Sequence, residues 1–116
     1  MNSYDFVETV KRYVRDAAIE DTIANLKSPP GSRVPPQERT HSDWYNNLSD
    51  AESAHVNSVI ATAVHEALFG LFAALDGART IDDGRGRFEL IYASDQRILL
   101  NDPKAIDLHD LLNAYS

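Results

Sequence analysis

The chain contains no cysteine among its 116 residues. This absence excludes disulfides, thiolate catalysis and thiolate-bound zinc. Lysine and arginine are missing between Arg39 and Arg79, and acidic residues outnumber basic ones by 18 to 11, which gives a formal net charge of −7. An acidic balance disfavours nucleic-acid phosphates and anionic membrane surfaces. Neither nucleic acid nor a membrane is therefore predicted as a partner.

Long apolar runs are also missing. No segment reaches the roughly 18 consecutive apolar residues of a membrane span, and the first residues lack the basic and apolar regions of a secretory signal. A cytoplasmic location is predicted. Because 43% of the residues are hydrophobic and 25% are charged, we expect one globular domain covering residues 1–116.

Motifs that carry chemistry are incomplete or missing. His65-Glu66 begins a zinc-protease motif, but Phe69 stands where the second histidine is required. Asp82-Asp83-Gly84 lacks the alternating oxygen ligands of a calcium loop. We find no nucleophile elbow, phosphate-binding glycine loop or dinucleotide fingerprint. The sequence therefore predicts no catalytic residue, no metal and no cofactor.

The most informative segment runs from Ser49 to Gly77 and predicts one long helix. Ser49 and Glu52 have the spacing of a capping box, and Gly77 follows the last apolar turn, as a helix-terminating glycine does. From Ala67 onward the helix has hardly any polar face until Asp76. A helix apolar on most sides is buried on most sides, so its C-terminal half should lie in the middle of the protein or in a dimer interface.

The first half of the chain predicts a helix over residues 4–27 and a proline-rich loop over 28–41. Two apolar stripes lie along this helix and face different directions. This change of direction predicts either a bend near Ala18 or two separate elements. The members of the first stripe are Phe6, Val10, Tyr13, Val14 and Ala17. Residues 42–48 predict a short helical turn, with Trp44 closing one end of the core.

The last third predicts a hairpin and a helix. Phe88, Leu90 and Tyr92 alternate with more polar residues, as in a half-buried strand, and residues 97–100 predict its antiparallel partner. Asp102 and Pro103 predict the start of a final helix. Its apolar face would contain Leu108, Leu111, Leu112 and Tyr115. The predicted fold is α+β and mainly α: a long central helix, flanking helices, a C-terminal antiparallel β-hairpin and a short helix after it.

Several short segments between residues 44 and 112 resemble a family of small bacterial helical domains of unknown function that carry a C-terminal β-hairpin. The segments are Trp44-Tyr45, Leu48-Ser49, Phe69-Gly70, Leu75-Asp76-Gly77, Ile81, Glu89-Leu90, Leu100-Asn101-Asp102 and Leu108-His109-Asp110-Leu111. The resemblance implies a helical domain with a hairpin and no established activity. By analogy, small acidic domains of this kind occur as immunity or accessory proteins beside bacterial toxins.

We expect a non-catalytic, cytoplasmic protein-interaction module, of an immunity type or a regulatory type. Exposed carboxylates of Asp43, Asp50 and Asp76 would meet a basic protein partner, with Trp44 or Tyr45 as the aromatic anchor. The strongly apolar segment 67–75 adds the hypothesis that the chain forms a homo-oligomer.

Two alternatives remain open. The chain could be a small enzyme whose site between the long and last helices contains His65, Glu66, Asp76 and His109. In that case a histidine should contact a carboxylate and face an open pocket. It could instead be a structural subunit of an assembly, which predicts an exposed apolar patch of more than a few hundred Å².

Overall fold

The computed structural model describes residues 1–80 and 84–114. The elements, in chain order, are α1 Ser3–Val10, a π-helix Lys11–Asp16, α2 Ala17–Lys27, α3 Pro36–Asn46, α4 Asp50–Leu75, β1 Ile91–Ala93, β2 Arg97–Leu99 and α5 Leu108–Ala114. The predicted mainly helical α+β fold, with a long helix, an antiparallel hairpin and a short last helix, is confirmed. Predictions that involve Ile81, Asp82, Asp83 and Tyr115 lie outside the described residues.

The chain begins with one continuous helical rod that is not α-helical throughout. The predicted first stripe is wrong at Tyr13, which is 67% exposed, and at Val14, which is also exposed. The π-helix between α1 and α2 has more residues per turn than an α-helix, so each of its residues is rotated less about the helix axis than the sequence pattern assumes. Val7 and Lys11 are buried instead. The π-helix accounts for the predicted change of stripe along the rod.

The proline-rich loop ends sooner than predicted, and the helix after it is longer. Pro36 is the first residue of α3, where its fixed φ and missing N–H are well suited. Trp44, which we expected in the core, is 55% exposed, whereas Tyr45 is buried and its hydroxyl donates to Asn57 Oδ1 at 2.8 Å. Consecutive residues of a helix point about 100° apart. The start of α3 therefore decides that Tyr45, and not Trp44, points into the core.

Both predicted ends of α4 are confirmed. The Ser49 hydroxyl accepts the Glu52 N–H at 3.1 Å, and a Glu52 carboxylate oxygen accepts the Ser49 N–H at 2.9 Å. At the other end Gly77 has a φ of 80°, and the Ala78 N–H reaches back to the Ala73 carbonyl at 2.9 Å. This is the Schellman arrangement that ends many helices.

The capping box makes stability depend on pH. The Ser49 backbone N–H, and then the Ser49 hydroxyl, lower the pKa of the Glu52 carboxyl from its ordinary value of 4.5. Such a group stabilises the fold above its unfolded pKa, and this stabilisation is lost as the pH falls through the folded pKa. We expect Glu52→Gln, which keeps an acceptor oxygen but cannot titrate, to be less stable than wild type at neutral pH and equal to it well below pH 4.5. Urea denaturation at both pH values measures this; a difference that persists in acid would contradict it.

Gly70 lies inside α4 with the guanidinium of Arg79 against it, since a Cβ built on Gly70 would come 2.8 Å from Arg79 Nη1. The end of this long side chain can move aside at little cost, and alanine is favoured over glycine in a helix. We therefore expect Gly70→Ala to raise the free energy of unfolding by up to about 1 kcal/mol. Ala54→Gly, at an exposed position of the same helix, should lower it by a similar amount; destabilisation by both changes would show that Arg79 needs its place over Gly70.

The hairpin is shorter than predicted. β1 begins at Ile91 and not at Phe88, which is exposed. Its register with β2 pairs Ile91 with Leu99, Tyr92 with Ile98 and Ala93 with Arg97. A two-stranded ribbon is marginal alone in water, so it depends on the rest of the fold for its stability.

The final helix begins later than predicted. The Asp102 carboxylate accepts the Lys104 N–H at 2.9 Å and organises a turn, and α5 starts only at Leu108. Asp102 and Pro103 suit a turn as well as a helix start, which explains the difference. The predicted apolar face of Leu108, Leu111 and Leu112 is buried.

The main core lies at one end of an elongated molecule. Its buried members are Val7, Phe72, Leu108, Leu111 and Leu112, which belong to α1, α4 and α5. At the other end α2 packs against α3 and α4. The molecule measures 50 × 29 × 29 Å with a radius of gyration of 18.1 Å, whereas a compact domain of this length has about 13 Å.

Candidate functional site

The residues predicted to bind a partner do not all lie on one surface. Asp43, Trp44 and Asp50 are exposed around the corner between α3 and α4. Tyr45 is buried and cannot be a surface anchor. The Asp76 side chain is only 1% exposed, so it cannot serve as an exposed carboxylate. A role in binding for the three exposed residues stays a prediction.

Asp76 joins the end of α4 to the start of α5. Its Oδ2 accepts the His109 backbone N–H at 2.9 Å and lies 2.7 Å from the ring Nδ1. Since an ionised carboxylate only accepts, Nδ1 carries a proton in this arrangement. The Phe69 ring meets the imidazole edge-on at 5.4 Å. The carboxylate therefore caps the first turn of α5 and orients the imidazole.

Asp107 completes a cluster with Asp76 and His109, in which one ligand atom of each lies within 4.8 Å of the others. Two carboxylates and an imidazole suit a divalent cation such as zinc or manganese. However, Nδ1 cannot ligate a cation while it donates to Asp76, and Asp76 Oδ2 already accepts two hydrogen bonds. Hydrogen bonding alone accounts for the arrangement of Asp76 and His109.

We expect Asp76→Ala to lower the free energy of unfolding by about 1–3 kcal/mol, because it leaves the partly buried His109 N–H without its acceptor. Asp76→Asn keeps an acceptor oxygen and should cost less. Chemical denaturation of the three proteins, with and without a metal chelator, measures both effects. If a cation held the cluster together, the chelator would destabilise the wild type and leave Asp76→Ala unchanged.

A cleft of about 450 Å³ crosses the middle of the molecule between the rod and α4. It is lined by Arg15, Asp16, Ile19, Ala61, Thr62, His65 and Glu66. His65 Nδ1 lies 3.2 Å from Arg15 Nη1, and Nε2 lies 2.7 Å from Asn113 Oδ1. Because arginine can only donate, Nδ1 accepts and Nε2 donates, which makes the imidazole neutral. With both nitrogens engaged, His65 ties the π-helix and α5 to α4.

The four residues of the predicted enzyme site do not converge. His109 contacts a carboxylate, as that alternative requires, but the cleft is lined by His65 and Glu66 and not by His109 and Asp76. His65 and Asp76 are eleven residues apart along the helix and its cap, which corresponds to about 16 Å of rise. The expectation that all four groups face one pocket is therefore wrong.

One side of α4 carries apolar residues that no other described element covers. Val59, Ala63, Ala67 and Leu71, which we call the α4 stripe, repeat every four residues; Val59 is 68% exposed, Leu71 is 55% exposed and both alanines are exposed. Of the two predicted settings for the C-terminal half of the helix, burial by its own chain is wrong at Ala67 and Leu71, and a dimer interface stays a prediction. The sequence signal for the exposed side is the four-residue apolar repeat, which does not by itself distinguish the two settings.

The chain exposes much more surface than a compact monomer does. Its accessible surface is 8211 Å², whereas a monomer of this mass has about 6,300 Å², so about 1,900 Å² is in excess. Besides the α4 stripe, other large apolar side chains are exposed, among them Tyr4, Tyr13, Val14, Trp44, Phe88, Tyr92 and Ile106.

By length and composition α4 could cross a membrane, and only 11% of its most apolar stretch is buried. A core helix of a soluble protein can have the same length and composition, but it is mostly buried. Two polar side chains tie this helix to the rest of the chain: Asn57 binds the Tyr45 hydroxyl, and His65 binds Arg15 and Asn113. Insertion into lipid would break these contacts or bury them in hydrocarbon.

No model of a known protein family, no curated protein and no solved structure matches the chain. The resemblance to small bacterial helical domains stays a prediction, and function has to be inferred from the geometry of the chain itself.

Proposed function

We propose that the chain is a non-catalytic protein-interaction module that buries the α4 stripe against another polypeptide. The observation that carries this proposal is an exposed apolar line of four residues on the longest helix. Apolar surface that a monomer leaves in water is a common feature of binding sites. A module of this kind would act as a regulatory or immunity-type protein through surface complementarity.

The two ends of the stripe suit an interface. Val59 and Leu71 supply the large apolar groups, and the alanines between them let a partner helix come close. Asp43, Trp44 and Asp50 lie near the N-terminal end of α4, where Asp50 is on the side opposite Val59, and would contribute a separate polar and aromatic contact. A basic partner would meet these two carboxylates there, outside the apolar contact.

The test is photo-crosslinking in the native host, with a photoreactive amino acid at Val59. The same amino acid at Ala54, which is exposed on another side of α4, is the matched control. We expect a discrete adduct from Val59 that is lost on Leu71→Ser and kept on Ile106→Ser, a change at an exposed apolar residue outside the stripe. No adduct from Val59, or equal yields from Val59 and Ala54, would overturn the proposal.

The stripe equally favours the structural-subunit alternative, because an assembly also needs exposed apolar surface. The mass of the native complex that contains the chain separates the two. A complex of two chains supports a module with one partner, whereas a large complex with many copies supports a structural subunit.

A further inference from the structure

We propose that the occupant of the α4 stripe is a second copy of this chain, related by a twofold axis that passes between the two α4 helices. This inference rests on the proposed function, because it names the partner of the same surface. A second copy must match this chain in three respects: the area that the contact buries, the shape of the α4 stripe and the charges beside it.

The surface that the whole chain leaves open is large enough for a homodimer. Permanent homodimers bury about 2,000–5,000 Å² in total, which is about 1,000–2,500 Å² from each copy. The surface that this chain exposes beyond a compact monomer, about 1,900 Å², falls within that range. The excess belongs to the whole elongated molecule, so a second copy that covers it would pack along α4 and beyond the α4 stripe.

The shape of the stripe is complementary to itself. Residues four apart form a ridge, and two such ridges interlock when helices cross at about 50°. A twofold axis between Ala63 and Ala67 would place small residues at the crossing point, where the helix axes come closest. Val59 of one copy would then lie near Leu71 of the other, so the large side chains close both ends of the contact.

The charge beside the stripe also suits self-association. Glu66 is exposed on the same side of α4, and the guanidinium of Arg79 lies against Gly70 one turn further on. The surface therefore carries one acidic and one basic group. The axis between Ala63 and Ala67 brings the Glu66 side chains of the two copies near each other, and the Arg79 guanidinium one turn away offsets their repulsion. The exposed carboxylates of Asp43 and Asp50 lie towards the N-terminal end of α4, away from this point.

The first experiment is sedimentation velocity on the purified full chain from about 1 µM to about 100 µM. We expect a species of twice 12.9 kDa. The double variant Val59→Ser, Leu71→Ser should weaken the dimer by about 100-fold or more, whereas the control Ile106→Ser should leave it unchanged. A monomer over the whole range, or a dimer that the double variant does not weaken, would overturn the inference.

Because the chain has no cysteine, a single introduced thiol reports which surfaces meet. Mild oxidation of a mixture of purified A63C and A67C should give a covalent dimer of the two variants, because the twofold axis places position 63 of one copy opposite position 67 of the other; A54C mixed with either variant should not. Equal crosslinking of all three mixtures would overturn the twofold arrangement. Flotation of the wild type with phosphatidylglycerol vesicles, together with loss of the dimer, would assign the stripe to lipid and also overturn it.

The two proposals fail separately. If the purified chain is monomeric and the Val59 photo-adduct has a mass other than two chains, the second copy is wrong and the interaction module stands. If neither a dimer nor a photo-adduct forms, both are wrong.

Discussion

Phe72→Ala should lower the free energy of unfolding by about 3–5 kcal/mol. Phe72 is the largest side chain of the buried core, where α1, α4 and α5 meet, and its ring lies 6.0 Å from that of Phe6. The core has few members, so little else can fill the cavity that the substitution leaves. The total stability of a domain is about 5–15 kcal/mol, and this loss would be a large part of it.

Urea denaturation followed by far-ultraviolet circular dichroism measures this effect, with all proteins at one concentration so that any dimer contributes equally. Ile106→Ala is the control, because Ile106 is apolar but exposed, and it should change stability by no more than about 0.5 kcal/mol. Equal costs for Phe72→Ala and Ile106→Ala would mean that the core at this end of the molecule is not formed as described.

Asn101→Ala should cost about 2–4 kcal/mol. The buried Asn101 side chain joins its own segment to two others, the end of α4 and the segment before β1. Its Oδ1 accepts the Leu90 N–H at 2.8 Å, and its Nδ2 donates to the carbonyls of Leu75 and Phe88 at 2.7 and 2.8 Å. These bonds tie the end of α4 to the segment that enters the hairpin. Removing the amide leaves three backbone groups without this partner.

Comparing the stability of Asn101→Ala with that of Asn101→Asp separates the role of the amide oxygen from that of the amide nitrogen. Asn101→Asp keeps the oxygen that faces the Leu90 N–H but replaces the donor, so an oxygen would face two carbonyls, and it should also be destabilising. Asn47→Ala is the control, since the exposed Asn47 Nδ2 bonds to the Asp43 carbonyl one turn away. If thermal unfolding shows Asn101→Ala to be no worse than Asn47→Ala, the proposed role of Asn101 is wrong.

Asn101 also shows why sequence reasoning missed part of the structure. It lies between a strand and a turn, where asparagine is common for local reasons. Its partner Leu75 is 26 residues away, and no local pattern points to that distance. Asp76 and His109 are 33 residues apart, and the sequence groups them only in the four-residue enzyme alternative. The structure brings these two together but places His65 and Glu66 in the cleft instead.

The helical faces were predictable only where the helix type was regular. The α5 face was predicted correctly, whereas the rod was wrong at Tyr13 and Val14 because six residues adopt a π-helix. The choice of Tyr45 over Trp44 as the buried aromatic likewise depends on a rotation of about 100°, which changes with a single residue at the start of α3.

The sequence by itself determined the order of the elements, both ends of α4 and the hairpin that follows it. These features depend on contacts between residues a few positions apart, such as the Ser49–Glu52 capping box and the turn at Gly77. Only the tertiary structure decided which apolar residues are covered. A run of apolar residues is the same whether a neighbouring helix packs on it or not, and the α4 stripe is exposed because the other elements meet α4 on its other sides.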